Sequence, residues 1–308
     1  LTYSDGVHDD VNKIVWSALG WDPKTDLRDI LVEYSRVFFG PDVAEAAADG
    51  IFGLERNFEG ALAWNGGVDA NLAFWQGLES RAPELRDNWR WQLCLLRAYY
   101  DAYIRHRLLN ETALEEEANA RMSEAPEVGV DAAIDAALAA LRRADAEPVQ
   151  PEWRTRIFEL CDALFASIGL QTSVPRHQAS GPERGAILDY VDYPLNNRWW
   201  LEDELEKVRR MATEEEKIAR LVQLATWENP GPGSFYDDVG NVAKSPHVVR
   251  GEQINTAATP DSMPVPDFMF WESGMRRVRQ SWFSKMDWPL GIRYQGLAVR
   301  VAERDLRA

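Results

Sequence analysis

The sequence predicts a mainly α protein, a helical bundle followed by an irregular, partly β C-terminal tail. Three observations predict it. Apolar residues recur at helical spacing in one segment after another up to Trp227. Prolines, glycines and capping residues fall between those segments. After Trp227 the periodicity stops, and prolines and glycines become frequent. The expected organisation is therefore residues 1–22 as an N-terminal extension or the end of another unit, 23–228 as the bundle, and 229–308 as the tail with short strands.

The elements follow in order. Ser4 or Asp5 can cap a first helix whose apolar face is Val11, Ile14, Val15 and Ala18, with Asp9 and Asp10 near its first turn, where the helix dipole favours negative charge. Thr25 is expected to cap the next, with Leu27, Ile30, Leu31, Tyr34, Val37 and Phe38 in step and Gly40-Pro41 as the stop. Pro41 suits the first position of a third helix carrying Val43, Ala47, Ile51, Leu54 and Phe58. After a turn at Trp64-Asn65-Gly66-Gly67 comes a shorter helix with Leu72, Trp75 and Leu78. Pro83 is expected to open a long helix that is apolar on two sides, Trp89-Leu93-Leu96-Tyr100-Tyr103 and Trp91-Leu95-Ala98, as befits a helix at the centre of a bundle. Its continuation through 111–121 is acidic and expected to be solvated. Further helices are expected over Asp131–Ala144, from Trp153 to Gly169, and around 199–211 and 213–227, the last with a Thr213/Glu216 capping box. Residues 171–185 read as loop. In the tail, Ile292, Tyr294, Leu297, Val299 and Val301 alternate with a slip at Gly296, which predicts a bulged strand or a hairpin.

Composition excludes several function classes. A formal charge of −16 repels phosphate, so neither a nucleic-acid partner nor an anionic membrane surface is expected. No stretch approaches the roughly 20 apolar residues of a membrane span. Cys94 and Cys161, the two cysteines, sit in apolar helical patterns and read as buried thiols rather than a disulfide. With four scattered histidines, neither a metal site nor a cofactor is expected. Leu1 is not an initiator methionine, so the natural N-terminus is expected to lie upstream and a leader cannot be read.

Three constellations could carry chemistry. In the first, Asp5, His8, Asp9 and Asp10 could do acid–base work, or be the acids of a first helical turn, with Asp9 and Lys13 an ordinary i,i+4 pair. It is not the aspartate-rich magnesium motif of helical terpene synthases, since no second metal motif follows. In the second, Asn196, Arg198 and Trp199 combine an amide, a guanidinium and an indole, which could read sugar hydroxyls and stack on a sugar face. The same residues could equally start a helix and anchor it. In the third, the loop Asn229–Ser234 presents Tyr236, Asp237 and Asp238. It lacks the lysine of a P-loop and has acids in its place, so phosphate is not its ligand.

The runs Ser4-Asp5-Gly6, Asp9-Asp10-Val11-Asn12-Lys13-Ile14-Val15-Trp16, Tyr34-Ser35-Arg36 and Phe39-Gly40 resemble the join between the barrel and the helical domain of bacterial glycoside-hydrolase-like proteins distantly similar to alpha-N-acetylglucosaminidases. The resemblance implies that residues 1–22 are the end of a barrel-like unit and that the rest is a helical C-terminal region. It also implies a carbohydrate ligand, a separate N-terminal catalytic domain and a secreted or periplasmic location. Such a barrel needs about 250 residues and supplies its catalytic acids from earlier strands, so no catalytic residue is carried over to this chain. Asp5, His8, Asp9 and Asp10 would stand at the rim of such a site. The leading expectation is an accessory region of a carbohydrate-active enzyme. The alternatives are a helical interaction or scaffold protein without sugar chemistry, and a complete enzyme built on the acid pairs.

Overall fold

The computed structural model describes residues 9–58, 62–179 and 186–226. The expected strands of the tail and most of the N-terminal extension lie outside them. Among the described residues there are eleven α-helices, short 3-10 turns and no strands. They belong to two compact units: residues up to Arg105 together with 150–178, and residues 106–149 together with those from Ala179 onward.

The first unit holds α1 (Asp9–Trp21), α2 (Leu27–Phe39), α3 (Ala44–Arg56), α4 (Gly67–Arg81), the start of α5 (Trp89–Ser123), α8 (Pro151–Ile168) and α9 (Val174–His177). Its caps differ in part from expectation. Asp26, not Thr25, caps α2, its carboxylate accepting from the N–H groups of Arg28 and Asp29. Gly40 ends that helix at φ 96°, a conformation only glycine adopts freely. Pro41 sits in the following turn rather than in α3. Pro83 opens a 3-10 turn, and α5 starts six residues later behind Asn88, whose side-chain oxygen accepts from the N–H of Arg90 and Trp91. Proline fits either start, because its missing N–H is not needed there; the asparagine supplies the acceptor that decides.

The core of this unit is aromatic. Tyr34, Phe39, Trp91 and Trp75 pack in sequence, with Phe39–Trp91 and Trp91–Trp75 edge-to-face at 5.2 and 5.3 Å. The Trp75 indole enters against α3 because Gly50 has no side chain: a Cβ there would lie 2.8 Å from the ring. Its N–H donates to the Gly50 carbonyl. Every residue from Trp91 to Ile104 is buried, as the two-sided apolar pattern predicts. That run includes charges. Asp101, wholly buried, accepts from Arg97 Nε (2.6 Å) and Asn57 Nδ2 (2.8 Å), and burial pushes its carboxyl up despite both.

The second unit holds the rest of α5, α6 (Ala125–Val128), α7 (Val130–Ala146), α10 (Arg198–Arg209) and α11 (Glu214–Ala225). Here α7 packs on α10 and α11 and buries Val130, Ala133, Ile134, Ala137, Ala140 and Leu141. Arg209 reaches Asp131 and Asp135 on α7, while buried Glu204 takes Lys207 and Arg220, joining α10 to α11. The Thr213/Glu216 capping box forms as expected. One expectation holds only in part. The 111–121 stretch is helical but solvated on one face only: Glu111, Leu114, Glu115 and Ala118 are buried, while Ala113, Glu116, Ala120 and Arg121 are exposed. Both cysteines are buried free thiols.

Candidate functional site

The first constellation is described only in part. Asp5 and His8 lie outside the described residues, and Asp9 opens α1. Asp10 is a quarter exposed and occupied on both oxygens. Its Oδ1 accepts from the Val11 N–H at 2.9 Å, while Oδ2 accepts the Tyr34 hydroxyl at 2.9 Å and Arg90 Nε at 2.6 Å. The Arg90 guanidinium lies over the rings of Phe38 and Trp89, 3.8 and 3.9 Å from their centroids, an arrangement that holds its plane in place. Burial, then the charge of Asp10, pushes the Tyr34 hydroxyl well above the ordinary tyrosine range, so it stays protonated and donates to the carboxylate. The group is therefore a clasp that fixes α1 to α2 and to the start of α5.

The second constellation is a structural anchor whose main parts the sequence reading missed. Between the 3-10 turn at Ile187–Asp189 and α10 the chain is irregular, and its polar groups need partners. α5 supplies them from one polar stripe. Arg107 donates to the carbonyls of Val191 and Tyr193 and to the Glu111 carboxylate. Glu111 accepts from the Leu195 N–H, and its carbonyl accepts from Asn196 Nδ2 at 2.7 Å. Glu115 accepts from both the N–H and the side-chain amide of Asn197, each at 2.8 Å. Each four-residue step along α5, about 6 Å, meets a further stretch of the irregular segment running in the same direction.

Asn196 and Arg198 are thereby committed to structure. Asn196 also accepts from the Arg198 N–H, and buried Arg198 places Nη1 2.8 Å from Asp145. Trp199 is half-buried and meets the Tyr193 ring edge-on at 4.8 Å and 61°, with its neighbour Trp200 fully buried. Burial dominates at Glu115 and raises its carboxyl above the ordinary range; the Asn197 bonds oppose that without cancelling it. A signal for this stripe exists in the sequence: Glu111, Glu115, Ala118 and Met122 follow the i, i+4, i+7, i+11 spacing of a buried face.

Tyr236, Asp237 and Asp238, the third constellation, lie outside the described residues. Met211, in the link before α11, and Ala219 and Val222 on α11 line an open depression, where the one carboxylate, Glu216, is engaged in the capping box. Among the described residues no group of histidine, cysteine and acidic side chains is arranged to hold a metal ion, and no helix is long and apolar enough to cross a membrane. Comparison of the chain with protein families, curated proteins and solved structures gives no match.

Proposed function

We propose that the chain is the helical accessory region of a carbohydrate-active, glycoside-hydrolase-like protein, packing on a catalytic barrel and helping to shape its sugar cleft. The resemblance supplies the chemistry. The observation that carries the reading is the Asp10 clasp. The resembling runs 9–16 and 34–40 are brought together by the hydrogen bond from Tyr34 to Asp10, and Arg90 secures the joint. A carboxylate held by a cation and a hydroxyl in this way orients a helix.

Two measurements test the reading. The isolated chain is expected to show no turnover of aryl glycosides, N-acetylated ones included. Turnover that disappears in Asp9→Asn or Asp237→Asn would establish a complete enzyme instead. The reading frame 5′ of Leu1 is expected to encode a barrel, and an open frame encoding anything else overturns the proposal.

One observation favours the second reading, a helical interaction protein without sugar chemistry. Trp75, Trp91 and Trp200 are fully buried and spent on packing, and the exposed rings of Trp21 and Trp64, at 92% and 89%, serve protein contacts as readily as sugar faces. Pull-down on insoluble polysaccharide separates the two. Retention that falls in Trp21→Ala or Trp64→Ala supports sugar binding, and no retention of the parent chain supports the interaction protein.

A further inference from the structure

The end of α8 carries a cluster that none of the three constellations includes. Cys161 and Asp162 are consecutive on that helix, so they leave it about 100° apart: the thiol is buried and the carboxylate half-exposed. Gly169 stops the helix at φ 70°, and the chain turns back into α9, whose first turn is capped by Ser173. The turn delivers His177 onto α8. Its ring is 2% exposed, and both nitrogens are engaged, Nε2 with Asp162 Oδ1 and Nδ1 with Thr172 Oγ1, each at 2.8 Å. Thr172 in turn hydrogen-bonds the Cys161 thiol, which burial pushes up to about 12. Asp162 is the hub, for Arg176 Nη2 also reaches its two oxygens at 2.9 and 2.7 Å.

The charged and titratable groups around the imidazole are thus Asp162 and Cys161 on α8 and Arg176 on α9, with Arg154 beyond, stacked with Arg176 on Phe158. Phe165 covers the ring itself at 5.0 Å.

We propose that Asp162, His177 and Thr172 form an acid-released latch that holds the α9 turn down over the Cys161 thiol. One carboxylate serves two basic side chains, and that fixes the direction of the response. Burial alone would raise the Asp162 pKa, but the hydrogen bonds from Arg176 and His177 outweigh it and lower the value. A carboxyl with a depressed folded pKa stabilises at pH above its unfolded value and loses that contribution as pH falls through the folded one. The window therefore lies below pH of about 4, the ordinary aspartate value. Neutralising Asp162 there removes the carboxylate that Arg176 and His177 share and leaves the Arg176 guanidinium without its counter-charge, and the turn lifts.

Cys161 reports the opening. In the full chain carrying Cys94→Ala, which removes the other cysteine, 4,4′-dithiodipyridine is the probe, because it reacts with thiols in acid as well as at neutral pH. The rate, divided at each pH by that of the same chain unfolded in urea to cancel the change in thiolate fraction, is expected to be low at pH 7 and to rise about tenfold below pH of about 4, the scale of one hydrogen bond to a charged group, while the far-UV circular dichroism is unchanged. Asp162→Asn is expected to label at the fast rate already at pH 7, and His177→Gln likewise, so the outcome does not hang on one variant. A normalised rate that stays flat into acid, one that rises only as helical signal is lost, or Asp162→Asn and His177→Gln as slow as the parent would each overturn the latch.

Discussion

Replacing Glu115 by alanine tests the polar stripe of α5 where it is most deeply buried. The carboxylate accepts two hydrogen bonds from one residue, Asn197, and that residue is 8% exposed. Truncation leaves the Asn197 N–H and side-chain amide buried without an acceptor, at about 1–3 kcal/mol each. Removing a carboxylate that is itself disfavoured by burial offsets part of this, so the expected net loss is about 2–4 kcal/mol. Urea unfolding at pH 7 measures it, followed by circular dichroism and by tryptophan fluorescence, for which Trp199 and Trp200 lie next to the anchored segment. Asn197→Ala removes one of the two donors, so the double mutant should show a coupling of about 1–2 kcal/mol. A loss in Glu115→Ala below about 0.5 kcal/mol, the range of an ordinary surface change, would refute the anchoring argument. So would strict additivity with Asn197→Ala.

Three further outcomes are expected. Leu96→Ala, at a wholly buried position of α5, should cost about 2–5 kcal/mol in the same assay. Gly50→Ala should destabilise by about 1–3 kcal/mol, because the added Cβ meets the Trp75 ring at 2.8 Å; unchanged stability would mean that α3 and α4 move apart freely. The advantage of the parent over Glu115→Gln should shrink as pH rises from about 4 towards 7. Burial raises the folded pKa of Glu115, so the native state holds its proton longer than the unfolded chain, and stability falls with pH between the two values. An advantage that grows with pH over that interval would show the opposite linkage.

The helices were legible because their causes are local. Period, caps and breakers act within a few residues, and they place α2, α7, α8 and α11 closely and identify the buried two-sided run of α5. Where two local signals compete, as Thr25 with Asp26 or Pro83 with Asn88, the choice depends on backbone geometry, and sequence spacing alone leaves it open. The candidate residues were harder to read, because amino-acid type states what a side chain can bond and not what stands opposite it. Glu115 in an acidic helical stretch looks like a solvated charge. It becomes an anchor only because folding brings Asn197 to it from 82 residues away. Asp10 looks like a dipole-favoured first-turn acid until Arg90, 80 residues on, closes over it. His177, in a stretch that reads as loop, is buried because Gly169 turns the chain back onto α8. Helix propensity is settled within a turn or two of chain, whereas the burial and pairing of a polar group are properties of contacts between distant segments, fixed only when the packed structure excludes water from them.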